Sequence, residues 1–271
     1  MSEAGTVAWP LGPGADATAR AWLRQGAPVG PPPRPASSLC LLRDAGPSGS
    51  PGGPEVLWIT RGHQLAVAPG MLAFPGGAVD DVDRSWRPDE HAGPDRFAVL
   101  ARAAARELAE ETGHLVAPQL LRPVARWVTP EHEPRRYDTT FLVGVLPPGA
   151  DPEPLPPGEV HEHGWARPAD LLADVSSARR AALPPTRAVL ARLARAVDAV
   201  LAGAGDGRSA GRGAGAVVPG DTPAVRAAAL LAREAVLVPV VPRAVWRDDD
   251  PADDSSRGVD LLLPRHAGDV P

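Results

Sequence analysis

Three glutamates, Glu107, Glu110 and Glu111, stand at i, i+3 and i+4 in the run Ala103-Ala104-Ala105-Arg106-Glu107-Leu108-Ala109-Glu110-Glu111-Thr112-Gly113-His114-Leu115. Ala, Arg, Glu and Leu dominate the run, which predicts a helix, and Gly113 stands where a helix C-terminus favours a residue tolerant of positive φ. At helical spacing the three carboxylates share one face within about a turn. Carboxylates crowded this way repel one another unless a cation neutralises them, and hard oxygen donors at this density suit Mg²⁺ or Mn²⁺. A solvated acidic face is the competing reading of the glutamates taken alone. Their neighbours weigh against it: Arg106 immediately precedes the first glutamate, Gly76-Gly77 lies upstream, and Phe97, Leu100, Ala104 and Leu108 supply an apolar face beside them.

Together these residues resemble the Nudix hydrolase signature, a glycine loop followed by R-E-U-x-E-E-x-G-U with U aliphatic. The second half here is Arg106-Glu107-Leu108-Ala109-Glu110-Glu111-Thr112-Gly113, with His114 at the final aliphatic position. The resemblance implies an α/β fold, an α/β/α sandwich around a mixed central sheet, with a helical and strand-bearing C-terminal extension. It implies a Mg²⁺- or Mn²⁺-dependent diphosphatase, with Glu107, Glu110 and Glu111 as metal ligands and one of them also the base. Arg106 would then lock the helix carboxylates through an ion pair rather than touch substrate. In such a site Gly76 and Gly77 let the backbone approach a phosphate or turn sharply. Counted from Gly77, the signature's first acidic position falls on Asp83; counted back from Arg106 it falls on Ala98. The two registers disagree because the spacer 84–105 carries an insertion, and Asp83 is the candidate.

Composition narrows the alternatives. The chain has 271 residues and a formal charge of −5, which disfavours a general nucleic-acid binder. No apolar run approaches the roughly 20 residues of a membrane span, and the N-terminus lacks a signal pattern. The single cysteine, Cys40, excludes an internal disulfide and lies in the apolar run Leu39-Cys40-Leu41-Leu42, where a buried structural thiol is expected. These features, with a C-terminus of Asp269-Val270-Pro271 that is no peroxisomal tripeptide, point to a cytoplasmic protein. Because the chain has no lysine, any phosphate-gripping cation must be arginine or histidine. Arg135 and Arg136, in the turn Pro130–Arg136, can offer bidentate donors to a diphosphate, or simply be solvated. Arg61 is a further candidate, before the loop.

Around these residues we expect a Pro/Gly-rich N-terminal arm (1–35), a Nudix domain (36–175) and a C-terminal extension (176–271) with a Gly-rich linker. Strands are predicted at Ser37–Arg43, Val56–Arg61, Leu121–Thr129 and Tyr137–Leu146 from their β-branched and apolar runs. Helices are predicted near Ala17–Arg24, at Pro184–Ala202 and at Thr222–Glu234, and further strands at Ala235–Val241 and Val259–Leu263. Residues 84–95 read as a polar surface loop. Glu159 or Glu162 could add a ligand or base, while His161 and His163 are expected to be plain loop residues.

The long insertion, the Phe-Pro-Gly-Gly-x-x-Asp loop and the Arg-Trp-Val-Thr-Pro…Arg-Arg-Tyr-Asp-Thr run resemble the peroxisomal-type coenzyme A diphosphatase branch and its bacterial relatives, over roughly 36–185. A neighbouring branch's upstream motif is matched by Arg61, Leu65 and Gly70 but departs at Ala66 and Ala68. Three readings therefore stand: a coenzyme A or acyl-coenzyme A diphosphatase; a Nudix hydrolase of NADH, ADP-ribose or a damaged nucleoside triphosphate; and a non-catalytic nucleotide sensor. All take a small nucleotide as partner, with neither nucleic acid nor membrane, and a homodimer fits the family habit.

Overall fold

A computed structural model describes residues 6–10, 13–45, 53–62, 68–85, 96–147, 149–150, 160–205, 221–247 and 259–264. The first elements are strand β1 (Thr6–Pro10) and helix α1 (Pro13–Arg24), followed by the long strand β2 (Arg34–Asp44) and β3 (Pro54–Arg61). Two short strands, β4 (Leu72–Ala73) and β5 (Gly76–Ala78), lead to α2 (Asp81–Ser85) and to the glutamate-bearing α3 (Arg96–Thr112). Then come β6 (Arg122–Val128), β7 (Tyr137–Val145), β8 (Val160–Ala166), α4 (Pro168–Ser176) and α5 (Pro184–Gly205). The chain ends through α6 (Pro223–Arg233), β9 (Val236–Val240), β10 (Arg243–Trp246) and β11 (Val259–Pro264).

The central sheet runs β4-β3-β2-β7-β6-β9, with β5 paired to β2 and β8 to β3. It is mixed: β2 and β7 are parallel, as are β6 and β9, and the other pairings are antiparallel. Strand β2 divides one edge between two partners, taking β5 along Ala36–Ser38 and β3 along Leu42–Asp44. Its side chains alternate as a doubly covered strand requires. Leu39 and Leu41 join Leu57, Ala101, Ala104, Leu108, Leu121 and Leu142 beneath α3. Cys40 and Leu42 point the other way, into a core filled by α4, α5 and α6 through Leu171, Val189, Leu190, Leu193, Ala227 and Leu231. Burial pushes the Cys40 thiol up, with Arg192 opposing weakly.

This second core crosses the expected boundary at 175/176 without a break, since α5, α6, Val240 of β9 and Leu263 of β11 all belong to it. A separate three-stranded sheet, β1-β11-β10, joins the two ends of the chain. Together with α1 it buries Ala19, Ala244, Val259 and Leu261. Neither β1 nor β10 was expected from sequence, and the first of them lies within the expected N-terminal arm. The expected Gly-rich linker, most of the 84–95 insertion and Glu159 lie outside the described residues.

Candidate active site

Helix α3 is held against the sheet by Ala101, Ala104 and Leu108, while Val99, Leu100 and Ala103 close on Val79. It ends as its sequence demands: Gly113 has φ +73° and its N–H donates to Ala109 O. The Thr112 hydroxyl donates to Leu108 O at 2.7 Å. His114, at an aliphatic position of the signature, is buried: its Nδ1 lies 3.1 Å from Thr112 Oγ1 and its ring meets Trp165 edge-on at 5.5 Å.

The carboxylates surround Arg106, whose side chain is 19% exposed. Its guanidinium grips Asp83 with two parallel bonds, Nε to Oδ1 at 3.1 Å and Nη2 to Oδ2 at 3.0 Å. Nη2 also donates to Ala78 O at 3.1 Å, and Nη1 donates to Glu107 Oε1 and Glu110 Oε2, both at 2.9 Å. These five bonds match the five N–H donors a guanidinium carries. The Asp83 bonds, and after them Glu107, hold Arg106 more firmly protonated than usual against the opposing effect of burial. Asp83 is 3% exposed and also accepts from Asp80 N at 2.9 Å, and Arg102 Nε donates to its backbone oxygen at 2.7 Å. Asp83 thus lies against Arg106 in space. Helix α2 brings it there although the insertion separates it from α3 in sequence.

The glycine pair meets the carboxylates directly. Gly76 N donates to Glu111 Oε2 at 2.9 Å. A Cβ on Gly77 would lie 2.5 Å from Glu107 Cδ and 2.7 Å from Oε2, closer than real Cβ atoms come. The room that glycine leaves is thus taken up by the helix's own carboxylate. Gly76 gives its N–H to Glu111, and the side chain that Gly77 lacks leaves the space that Glu107 fills. Desolvation raises the Glu107 pKa, with Arg106 opposing and Glu110 and Asp80 adding to the rise.

Of the cationic candidates, Arg135 is exposed on the turn before β7 and Arg61 is half-buried at the end of β3. Arg136 is buried, its Nε donating to Thr129 O at 3.0 Å and its Nη1 to Pro31 O at 2.8 Å. That guanidinium ties the turn to the segment before β2. Glu162 is exposed on β8 opposite Thr60. Sequence reasoning did not single out Asp80, an exposed carboxylate 3.8 Å from Arg106 Nη2; its place in the Phe-Pro-Gly-Gly-x-x-Asp loop was the available signal. Among the described residues, no three carboxylate, imidazole or thiol groups converge into a ready metal cage. Arg106 stands between Glu107 and Glu110, and Gly76 holds Glu111. The donor chemistry nevertheless fits a hard divalent cation, because all three groups are carboxylates and Glu107 is seated where a Cβ would otherwise stand.

A mixed sheet with helices on both faces carries a glutamate-bearing helix braced against a glycine strand, and this arrangement defines an α/β protein. The NUDIX domain model matches residues 32–185, more than half of the chain, and the chain belongs to that family. Among solved structures, a NUDIX hydrolase from Alicyclobacillus acidocaldarius is 30% identical over 59% of this chain and 90% of its own, with a TM-score of 0.48. The NUDIX domain of Shewanella oneidensis NrtR, in complex with ADP ribose, is 17% identical over 53% of this chain and 78% of its own, at 0.37. A C. elegans Ap4A hydrolase is 19% identical over 62% and 98%, at 0.34. No curated protein matches the chain. The family match places the chain among the Nudix hydrolases, which act on the pyrophosphate bond of nucleoside diphosphate-linked substrates and generally use divalent metal ions. No described helix is long and apolar enough to cross a membrane.

Proposed function

We propose that this chain cleaves the diphosphate of coenzyme A or an acyl-coenzyme A, using Mg²⁺ or Mn²⁺ held by Glu107, Glu110 and Glu111. The observation that carries the site assignment is the seating of Glu107 on Gly77, which makes a glycine and a glutamate distant in sequence depend on each other. A divalent cation bound there would neutralise the diphosphate oxygens and acidify a water. Arg106 positions rather than binds substrate, since its donors are spent on Asp83, Glu107, Glu110 and Ala78. Glu110 has 58% of its side chain exposed and gives only Oε2 to Arg106. Its Oε1 is the atom open to accept a proton from the attacking water. Arg135 is the exposed guanidinium left to grip the diphosphate.

The coenzyme A reading rests on the box insertion and on the Arg126-Trp127-Val128-Thr129-Pro130…Arg135-Arg136-Tyr137-Asp138-Thr139 run. The second reading, hydrolysis of NADH, ADP-ribose or a damaged nucleoside triphosphate, is favoured by the departure of Ala66 and Ala68 from the coenzyme A motif. The test is product release from a panel of coenzyme A, NADH, ADP-ribose and nucleoside triphosphates with Mg²⁺, using the wild type and Glu110→Gln. We expect coenzyme A to be turned over fastest. Loss of Glu110 should lower turnover by about two orders of magnitude or more and leave the melting temperature unchanged, because the side chain is mostly in solvent. Preference for another panel member overturns the coenzyme A assignment. Normal activity in Glu110→Gln overturns the site, and binding without turnover of any member would make the chain a sensor.

A further inference from the structure

Ser37 is 1% exposed, and among the described residues its Oγ finds no hydrogen-bond partner. A buried hydroxyl without a partner is uncommon and destabilising, so a fold that keeps one has a reason outside packing. Its place in the sheet supplies that reason. Ser37 lies on the face of β2 that Leu39 and Leu41 turn toward α3, and it pairs directly with Gly77 of β5. Residues directly opposite in an antiparallel pair point to the same face, with Cβ positions about 4.5–5.5 Å apart. At Gly77 that position is crowded by the Glu107 carboxylate. A hydroxyl without an acceptor therefore stands one strand away from a carboxylate whose Oε1 is bonded to Arg106. Among the described residues, no hydrogen bond is recorded at its Oε2.

We propose that the Ser37 hydroxyl is a positioning donor for Glu107. By turning about χ1 onto Oε2 it would fix the carboxylate plane, leaving the remaining lone pairs of both oxygens aimed outward at a cation. Removing a group that orients a metal's ligands in this way typically costs roughly 10- to 100-fold in metal affinity or activity. Ser37 touches neither substrate nor metal. Its effect passes entirely through Glu107, and the inference rests on the assignment of Glu107 as a metal ligand.

The experiment titrates the full-length protein with Mn²⁺ and counts free Mn²⁺ by electron paramagnetic resonance, for wild type, Ser37→Ala, Ser37→Thr and Glu107→Gln. Melting temperatures are read in parallel without metal. Ser37→Ala should raise the Mn²⁺ dissociation constant by about tenfold, with a metal-free melting temperature equal to or above wild type because an unpaired buried hydroxyl has been removed. Ser37→Thr, which keeps the donor, should bind within about twofold of wild type. In turnover assays Ser37→Ala should need proportionately more Mg²⁺ yet approach the wild-type rate when Mg²⁺ saturates. Wild-type Mn²⁺ affinity in Ser37→Ala, alongside weakened binding in Glu107→Gln, overturns the role of Ser37 alone. Unweakened binding in Glu107→Gln overturns instead the metal assignment on which it rests.

Discussion

The pair between Asp83 and Arg106 makes the sharpest claim about how the site is held. Asp83 is 3% exposed, and its charge is balanced by the two guanidinium bonds at 3.1 and 3.0 Å and by Asp80 N. Removing one partner of a buried ion pair costs about 3–5 kcal/mol, mainly because the other charge is stranded. The two deletions strand different things. Asp83→Ala leaves Arg106 with Glu107, Glu110 and Ala78 O still in place and its side chain 19% exposed, so the loss belongs near or below the lower bound, about 2–3 kcal/mol. Arg106→Ala leaves Asp83 with backbone Asp80 N as its remaining partner and also removes the guanidinium that bridges Glu107 and Glu110. That change should cost more, about 4–5 kcal/mol. With about 2–4 °C lost per kcal/mol in a chain of this size, melting temperatures should fall by roughly 4–12 °C and 8–20 °C. Denaturant unfolding in EDTA at neutral pH measures both, and the double variant closes the cycle. The double should be less damaging than the sum by at least about 1 kcal/mol. An Asp83→Ala change within about 0.5 kcal/mol of wild type, or strict additivity, would refute the reasoning.

Other variants probe the remaining contacts. Gly77→Ala should fold, because the atoms it meets are the far end of a flexible glutamate, but should lose Mn²⁺ binding and activity at least tenfold as Glu107 is displaced. Asp138 is held below the ordinary carboxylate range by its bonds to Arg126, with Arg96 adding to them. A depressed folded pKa stabilises above the unfolded value of about 3.9 and is lost as pH falls through the folded one. The wild type should therefore weaken below about pH 4, and Asp138→Asn should lack that part of the decline while being about 1.5–3 kcal/mol less stable at pH 7. Truncation after residue 205 strips Ala224, Ala227, Leu231 and Val240 from the second core, and the shortened chain should lose cooperative unfolding in circular dichroism.

The glutamate-bearing helix was legible because its signals are local: helix-forming residues, carboxylate spacing and Gly113 at the end all act within one segment. Strands β2, β3, β6 and β7 were legible for the same reason, as runs of apolar and β-branched residues. What escaped were properties decided by distant partners. Strand β1 pairs with β11 in a register running from Thr6↔Pro264 to Pro10↔Asp260, a contact that no local pattern of TVAWP announces. The Gly77 and Glu107 contact and the orphaned Ser37 hydroxyl depend on α3 lying over the β2 and β5 pairing. The bonds of Arg136 escaped as well, because an arginine at a charged turn looks alike from sequence whether its donors face solvent or, as here, the carbonyls of Thr129 and Pro31.

The position of Cys40 gives the protein a built-in reporter of its own opening. As the chain's single cysteine, it is fully buried on β2 opposite Val143 of β7, and its thiol resists ionisation. A thiol reagent attacks the thiolate, so the folded molecule should be nearly inert and modification should wait for β2 to separate from the second core. The labelling rate, read without any engineered probe, then follows the opening equilibrium of the strand that also carries Ser37. Metal binding at the α3 glutamates should slow it in proportion to the stability that binding adds.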